Sequence, residues 1–290
     1  LACFFIGNGM AFTHQYRFAA AESVEKIFIP KALSIIMLAT IFSALLGPNI
    51  ANFNKDLISG HLFVGSYLSL AVLTFIPIFF LIFYNPKAEP ERAKEYKGRS
   101  YFELIAQPKF LQAVASAAFA YAVMSFLMTA TPINMHVIEN YSLNKTGIVI
   151  QLHIVSMFLP SLITGNLLRK FGHSKIIYIG VVFFILTIIL SFLQPSFLNY
   201  LFSLVFLGIG WNFLYLSGTG LLVLSYKEEE KFKAQGFNDI LVFSTQALAS
   251  LSAGYMLSLT SWKIMNLIAI PFLILIVISS IRADLLKDRK

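Results

Sequence analysis

Apolar runs of roughly twenty residues alternate with short polar gaps along the whole chain, the pattern expected of helices that cross a hydrocarbon layer about 30 Å thick. Nine such runs stand out, at 1–21, 31–52, 62–84, 110–133, 147–168, 175–194, 197–225, 235–258 and 262–281. Several have length to spare for tilting. One gap differs from the rest. Residues 85–109, NPKAEPERAKEYKGRSYFELIAQPK, carry three prolines and mixed charge, and read as a solvated linker between two helical bundles. The predicted class is an all-α integral membrane protein.

Composition strengthens this reading. Of 290 residues, 58% are hydrophobic and only 12% charged, against roughly a quarter charged in soluble proteins. A net charge of +8 raises the question of nucleic acid. The bases sit in short gaps between apolar runs, without a basic helix face or an aromatic-basic patch, so nucleic acid is rejected as a partner and the lipid bilayer takes its place. A lone cysteine, Cys3, excludes an internal disulfide. The first apolar run lacks the basic start and short core of a cleavable signal peptide.

The charges also orient the chain. With the gaps assigned alternately to two sides, nineteen lysines and arginines fall on one side, and only Lys55, Lys145 and Lys263 on the other. That asymmetry makes the first side, and with it the C-terminus, cytoplasmic. A weak internal repeat is visible at an offset of 201, where Phe5, Gly7, Gly9 and Phe12 match Phe206, Gly208, Gly210 and Phe213. Parallel repeats of a six-span half occur in transporters. The chain opens at Leu1, already inside an apolar run, which reads as a fragment. The offset leads to the expectation of about three further spans ahead of it, twelve in all.

Between the fifth and sixth visible runs lies GNLLRKFGHSK, residues 165–175. Twelve spans, a long central linker and this Gly-x-Leu hairpin together resemble the major facilitator superfamily. Its hairpin motif is Gly-x-Leu-Ala-Asp-Arg-x-Gly followed by two bases. Gly165, Leu167, Lys170, Phe171 and Gly172 fall in place, whereas Arg169 stands where the family often has Asp, and His173 and Ser174 replace the trailing bases. That departure puts an acid-dependent gating role of the hairpin in doubt. Gly165, Arg169, Lys170 and Gly172 are expected as a cytoplasmic hinge loop. QYRFAAAE at 15–22, MTATP at 128–132 and IQLHIVSMFLPSLITG at 150–165 also look like a bacterial branch that includes riboflavin carriers. The resemblance implies that residues 1–84 hold the last three spans of an N-terminal bundle, and that 110–290 form a six-span C-terminal bundle after the 85–109 linker. It also implies a monomer in the bacterial cytoplasmic membrane, and a central path lined by the visible spans that correspond to the family's fourth, seventh and tenth.

Polar residues inside spans are the candidate chemistry, because each costs free energy to insert. THQYR places His14 and Arg17 in the first run. Either they face the path, with His14 as a proton carrier, or Arg17 snorkels to the cytoplasmic surface and His14 makes a helix-helix hydrogen bond. Thr129, Thr131 and Asn134 surround Pro132, giving either a kinked cavity wall or a helix end. Trp211 and Tyr215 share a helix face at i, i+4, with Asn212 beside them. They suit stacking on a planar ligand or plain interhelical packing. Asp239 is either a proton-coupling acid or an acid favoured by a helix N-terminus. Gln151 and His153, two apart, point to different faces, and His153 reads as structural. Ser43, Gly47 and Ala51 form a small-residue face, and Gly47-Pro48 matches the core of the family's antiporter motif.

No nucleotide-binding lysine loop, HExxH, GxSxG or CxxC appears, and the five histidines lack metal spacing, so neither an enzyme nor a cofactor or metal is expected. The expected function is a secondary or facilitative transporter that moves a small organic solute, a planar one such as a flavin fitting the aromatic residues, by alternating access. The alternatives are a drug/proton antiporter and, behind it, a membrane sensor.

Overall fold

The computed structural model describes residues 2–61, 63–83 and 98–287, and among these it is helical with no strand. The helices are α1 (Ala2–Glu22), α2 (Ile29–Phe53), α3 (Val64–Leu81), α4 (Tyr101–Ala106), α5 (Pro108–Pro132), α6 (Leu143–Phe158), α7 (Ser161–Phe171), α8 (His173–Ser191), α9 (Phe197–Val223), α10 (Lys231–Leu259), α11 (Trp262–Ile268) and α12 (Ile270–Lys287). Among the described residues, eight stretches are long and apolar enough to cross a membrane. The ninth expected span, 1–21, is the 21-residue helix α1, made less apolar by Asn8, Thr13, His14, Gln15 and Arg17. Residues 85–97 of the expected linker lie outside the described residues, as do the side chains of Cys3 and Pro48.

Local chemistry sets the helix ends. Ser100 caps α4 in a box with Glu103: the hydroxyl accepts from the Glu103 N–H, and the carboxylate accepts from the Ser100 N–H at 2.5 Å. The hydrogen bond from the Ser100 N–H holds the Glu103 carboxyl below its usual range. Ser142, Ser196 and Ser261 cap α6, α9 and α11 more simply, each hydroxyl accepting from the N–H three residues on. Pro132 is the last residue of α5, which runs on without a break into a wide π turn, Ile133–Ile138. The expected single span 147–168 is two helices, α6 and α7, broken at Leu159–Pro160 where proline has no N–H to continue the ladder.

The hairpin expected as a loop requires correction. Gly165, Arg169 and Lys170 are helical in α7, and only Gly172 separates α7 from α8. Its φ of +81° is open to glycine at little cost, which lets the chain turn within one residue.

The described chain divides into two compact units, residues 1–38 with 96–290, and residues 39–95. At the centre of the larger unit α5 packs against α9, α10 and α12, and α9 also packs against α6 and α8. Small residues permit this. A Cβ added at Gly218 would lie 2.7 Å from the Ala113 carbonyl, and one at Gly210 would lie 2.9 Å from the Gly180 carbonyl. Van der Waals contact of this kind is what holds helices together in lipid, where apolar burial gives little drive. In the smaller unit the Ser66 hydroxyl donates to the Ala51 carbonyl at 2.6 Å, tying α3 to α2. Gly47 has no atom within 4 Å of where its Cβ would stand, so close packing at that position is not seen among the described residues.

The repeat positions Gly7 and Gly208 differ in the same way. A Cβ on Gly208 would fall on Ser156 Oγ and lie 2.8 Å from the His153 carbonyl, whereas Gly7 has nothing within 4 Å. Gly208→Ala is expected to cost about 1–3 kcal/mol by overpacking. Gly7→Ala is expected to be neutral or to stabilise by up to about 1 kcal/mol through helix propensity. Thermal midpoints of the purified variants in detergent check both.

Candidate functional site

Two buried charges of the larger unit, one on α1 and one on α10, face each other. Arg17 of α1 is 3% exposed and Asp239 of α10 is 8% exposed. They form an ion pair, Arg17 Nη2 donating to Asp239 Oδ1. Gln15 Nε2 donates to Asp239 Oδ2 at 2.7 Å, and Asn238 Nδ2 to Oδ1 at 3.0 Å, so the carboxylate accepts from three donors. A buried carboxylate with several charge-assisted or amide donors is the arrangement that offsets desolvation. Arg17 therefore turns inward, correcting the expectation that it could snorkel to the surface. Asp239 is likewise an ion-pair partner and more than a helix N-terminal acid.

An aromatic wall stands against this pair. Trp211 and Tyr215 stack with centroids 4.8 Å apart and planes at 14°. Tyr121 of α5 meets both edge-on at 5.3 Å, and Phe158 of α6 meets Trp211 at 5.8 Å. The Arg17 guanidinium lies 5.0 Å from the Tyr215 centroid and 4.5 Å from that of Phe18, within cation–π range. His14 packs on Phe243 at 4.7 Å. Four donor groups here are buried without a hydrogen-bond partner: Arg17 Nε, Arg17 Nη1, Trp211 Nε1 and the Tyr215 hydroxyl. A surplus of unpartnered donors beside flat rings is complementary to a flat molecule with acceptor atoms on its edge.

Further toward the end of α1, Glu22 accepts from Gln235 Nε2 at 2.6 Å and stands 3.5 Å from Lys231. The Tyr226 hydroxyl accepts from Gln235 at 2.6 Å and donates to Glu22 at 3.5 Å. Burial holds that phenol above its usual range, keeping it a donor. Lys231, Gln235, Asp239 and Phe243 are four apart, one face of α10, and α1 meets them in reverse order with Glu22, Arg17 and His14.

Of the residues singled out from the sequence, His14, Arg17, Trp211, Tyr215 and Asp239 come together. Asn212, one residue from Trp211 and so on another face, donates to the Met157 carbonyl and Ser161 Oγ, both at 2.7 Å, and accepts from Thr164. It ties α9 to α6 and α7. Asn134 donates to the Tyr200 hydroxyl at 2.5 Å, away from this cluster. Thr129 bonds Ser250 at 3.1 Å. It shares a face of α5 with Tyr121, two turns further along the same α5–α10 seam. His153 is fully buried, its Nδ1 bonded to the Leu204 carbonyl at 2.7 Å. Sequence reasoning missed Tyr121, Gln15, Asn238, Phe243 and Phe158. A signal existed for Phe243, which lies one turn after Asp239, and for Tyr121, the only polar-tipped ring in the alanine-rich α5.

Comparison with known proteins gives one family. The model of the Major Facilitator Superfamily matches residues 2–209 and 114–287. The riboflavin transporter RfnT of Brucella anthropi is 33% identical over 270 residues, 92% of this chain and 68% of that protein. YddS of Bacillus subtilis, an uncharacterised MFS-type transporter, is 30% identical over 279 residues, 90% of this chain and 64% of that protein. A bacterial homologue of the iron transporter ferroportin, crystallised in an outward-facing state, superposes with a TM-score of 0.68 at 14% identity, covering 91% of this chain and 66% of that one. That likeness shows the fold.

The ion pair makes a sharp prediction. Asp239→Asn strands a buried guanidinium and Arg17→Gln strands a buried carboxylate, each at about 3–5 kcal/mol. The double variant is expected to lose less than the sum by about 1–3 kcal/mol. Unfolding midpoints of the two single variants and the double variant measure the coupling.

Proposed function

The chain belongs to the major facilitator superfamily, and from that premise we propose that it carries a small planar solute with acceptor-rich edges, a flavin being the type, across the bacterial cytoplasmic membrane by alternating access. The observation that carries this reading is the Trp211–Tyr215 stack with unpartnered donors on Arg17, Trp211 and Tyr215 around it. Ring stacking of a flat ligand on aromatic side chains is worth about 1–3 kcal/mol per ring by alanine substitution. The name of the Brucella relative supports a flavin among planar solutes.

In this reading residues 1–84 hold three spans of an N-terminal bundle and residues 110–290 form a six-span C-terminal bundle, joined by 85–109 and acting as a monomer. Alternating access then requires α1 to part from α10. The polar steps at Glu22–Lys231, Arg17–Asp239 and His14–Phe243 make that contact a gate on the side expected to be cytoplasmic. Trp211 and Tyr215, 2% and 1% exposed, are shut behind it. Asp239 and His14 are the candidates for proton coupling, because a proton on Asp239 removes the charge that holds Arg17. Thr129 extends the wall beyond Tyr121. A second reading, export of planar drugs in exchange for protons, would use the same walls and is separated by direction of transport.

The test is uptake of labelled riboflavin by a bacterial riboflavin auxotroph that lacks its own carrier. Expression of the full-length protein is expected to restore uptake, and Trp211→Ala to lower it about ten-fold or more at unchanged membrane abundance. Uptake no higher than in the empty strain, with ethidium pumped into everted vesicles, would replace import of a flavin by drug export.

A further inference from the structure

A second site lies at the Gly172 turn, in the same compact unit but built from other residues. A cavity of about 480 Å³ opens between the start of α2 and the α7–α8 turn, and Lys26, Asn166, Arg169, Lys170 and His173 supply its polar lining. Three cations share this space. Among the described residues the ion pairs involve Arg17, Arg99 and Lys231, and none involves Lys26, Arg169 or Lys170. Like charges gathered without a counter-charge repel one another, and an anion relieves that repulsion.

One further feature favours an anion. Gly172, as N-cap of the 19-residue helix α8, offers no side chain to the free N–H groups of the first turn, where the helix dipole is positive. His173 Nε2 is turned inward, 2.7 Å from where a Cβ on Gly220 would stand, and takes no part. The rim decides what kind of anion fits. Ile27, Phe28 and Phe171 beside the cavity are 58%, 44% and 43% exposed. The Arg169 guanidinium lies 6.0 Å from the Phe28 ring and the Lys170 ammonium 5.2 Å from the Phe171 ring. Cations held against exposed apolar rings match a molecule with a phosphate head and hydrocarbon tails better than a free ion.

We propose that this cavity binds the phosphate of an anionic glycerophospholipid, with the acyl chains lying along Ile27, Phe28 and Phe171. The lipid would bridge the α2 start and the α7–α8 turn.

Native mass spectrometry of the purified full-length protein in dodecyl maltoside tests this, with phosphatidylglycerol and phosphatidylcholine of identical acyl chains as probes. Phosphatidylglycerol is expected to be retained in preference to phosphatidylcholine. Lys26→Gln and Arg169→Gln are each expected to weaken it about five-fold, and the triple change of Lys26, Arg169 and Lys170 to Gln about a hundred-fold. Lys145→Gln and Lys263→Gln, in the first turns of α6 and α11, are expected to leave it unchanged. Equal retention of phosphatidylcholine, or full retention by the single and triple variants, overturns the proposal. Displacement of the lipid by millimolar inorganic phosphate also overturns it, in favour of a free-anion site. The single changes affect exposed side chains, so they carry the result even if the triple variant does not fold.

Discussion

Arg17 and Asp239 can occupy the interior only together. A guanidinium or a carboxylate alone in that setting would face a desolvation cost of several kcal/mol, which their attraction and further hydrogen bonds to the carboxylate offset. Gln15 and Asn238 use the lone pairs of Asp239. The pair therefore fixes α1 against α10. It also fixes the guanidinium over Tyr215, and so the orientation of the Trp211–Tyr215 stack relative to the charges.

That arrangement relies on a scaffold of small residues. Tyr121 can reach the stack because α5 approaches α9 closely, Ala113 and Ala117 lying against Gly218. The other side of α9 is held by Gly210 against Gly180 and Phe184, and by Gly208 against Ser156. Bulk on these glycines would move the α9 backbone and carry Trp211 with it, so residues with no side chain set the position of the largest one in the site. Asn212 adds a polar clamp on the same helix, bonding Met157, Ser161 and Thr164. Its role is to hold α9, which its sequence position beside Trp211 did not reveal.

The parts of this molecule legible in its sequence are those whose cause is local. Helix spans follow from apolar runs, and the shared face of Trp211 and Tyr215 follows from their spacing of four. The pairing of Arg17 with Asp239 joins residues 222 apart, and no local pattern encodes it. Read alone, each has a plausible solution nearby, water for Arg17 and a helix N-terminus for Asp239. Tyr121 was hidden for a similar reason, since a ring among alanines reads as packing until its neighbours are known. The α7–α8 turn was misjudged in length because Gly, Arg, Lys and His together resemble a loop, whereas a helix accepts Arg and Lys readily and needs only Gly172 to reverse.

Arg17 has one more consequence for what the proposed site selects. A guanidinium carries five N–H donors, and Asp239 takes only part of that capacity, leaving Nε and Nη1 unpartnered. A solute that brings a neutral acceptor, such as a ring carbonyl, can bond these nitrogens while the ion pair stays intact. Its binding then adds to the α1–α10 contact and favours the closed arrangement. A solute that brings a carboxylate competes with Asp239 for the same cation and would leave that aspartate buried without its counter-charge, at a cost that the new bond must first offset. In the proposed function the site would therefore discriminate by charge as well as by shape. It would favour a flat, neutral, carbonyl-edged ring over an equally flat acid, because only the former satisfies Arg17 without dismantling the interaction that positions it.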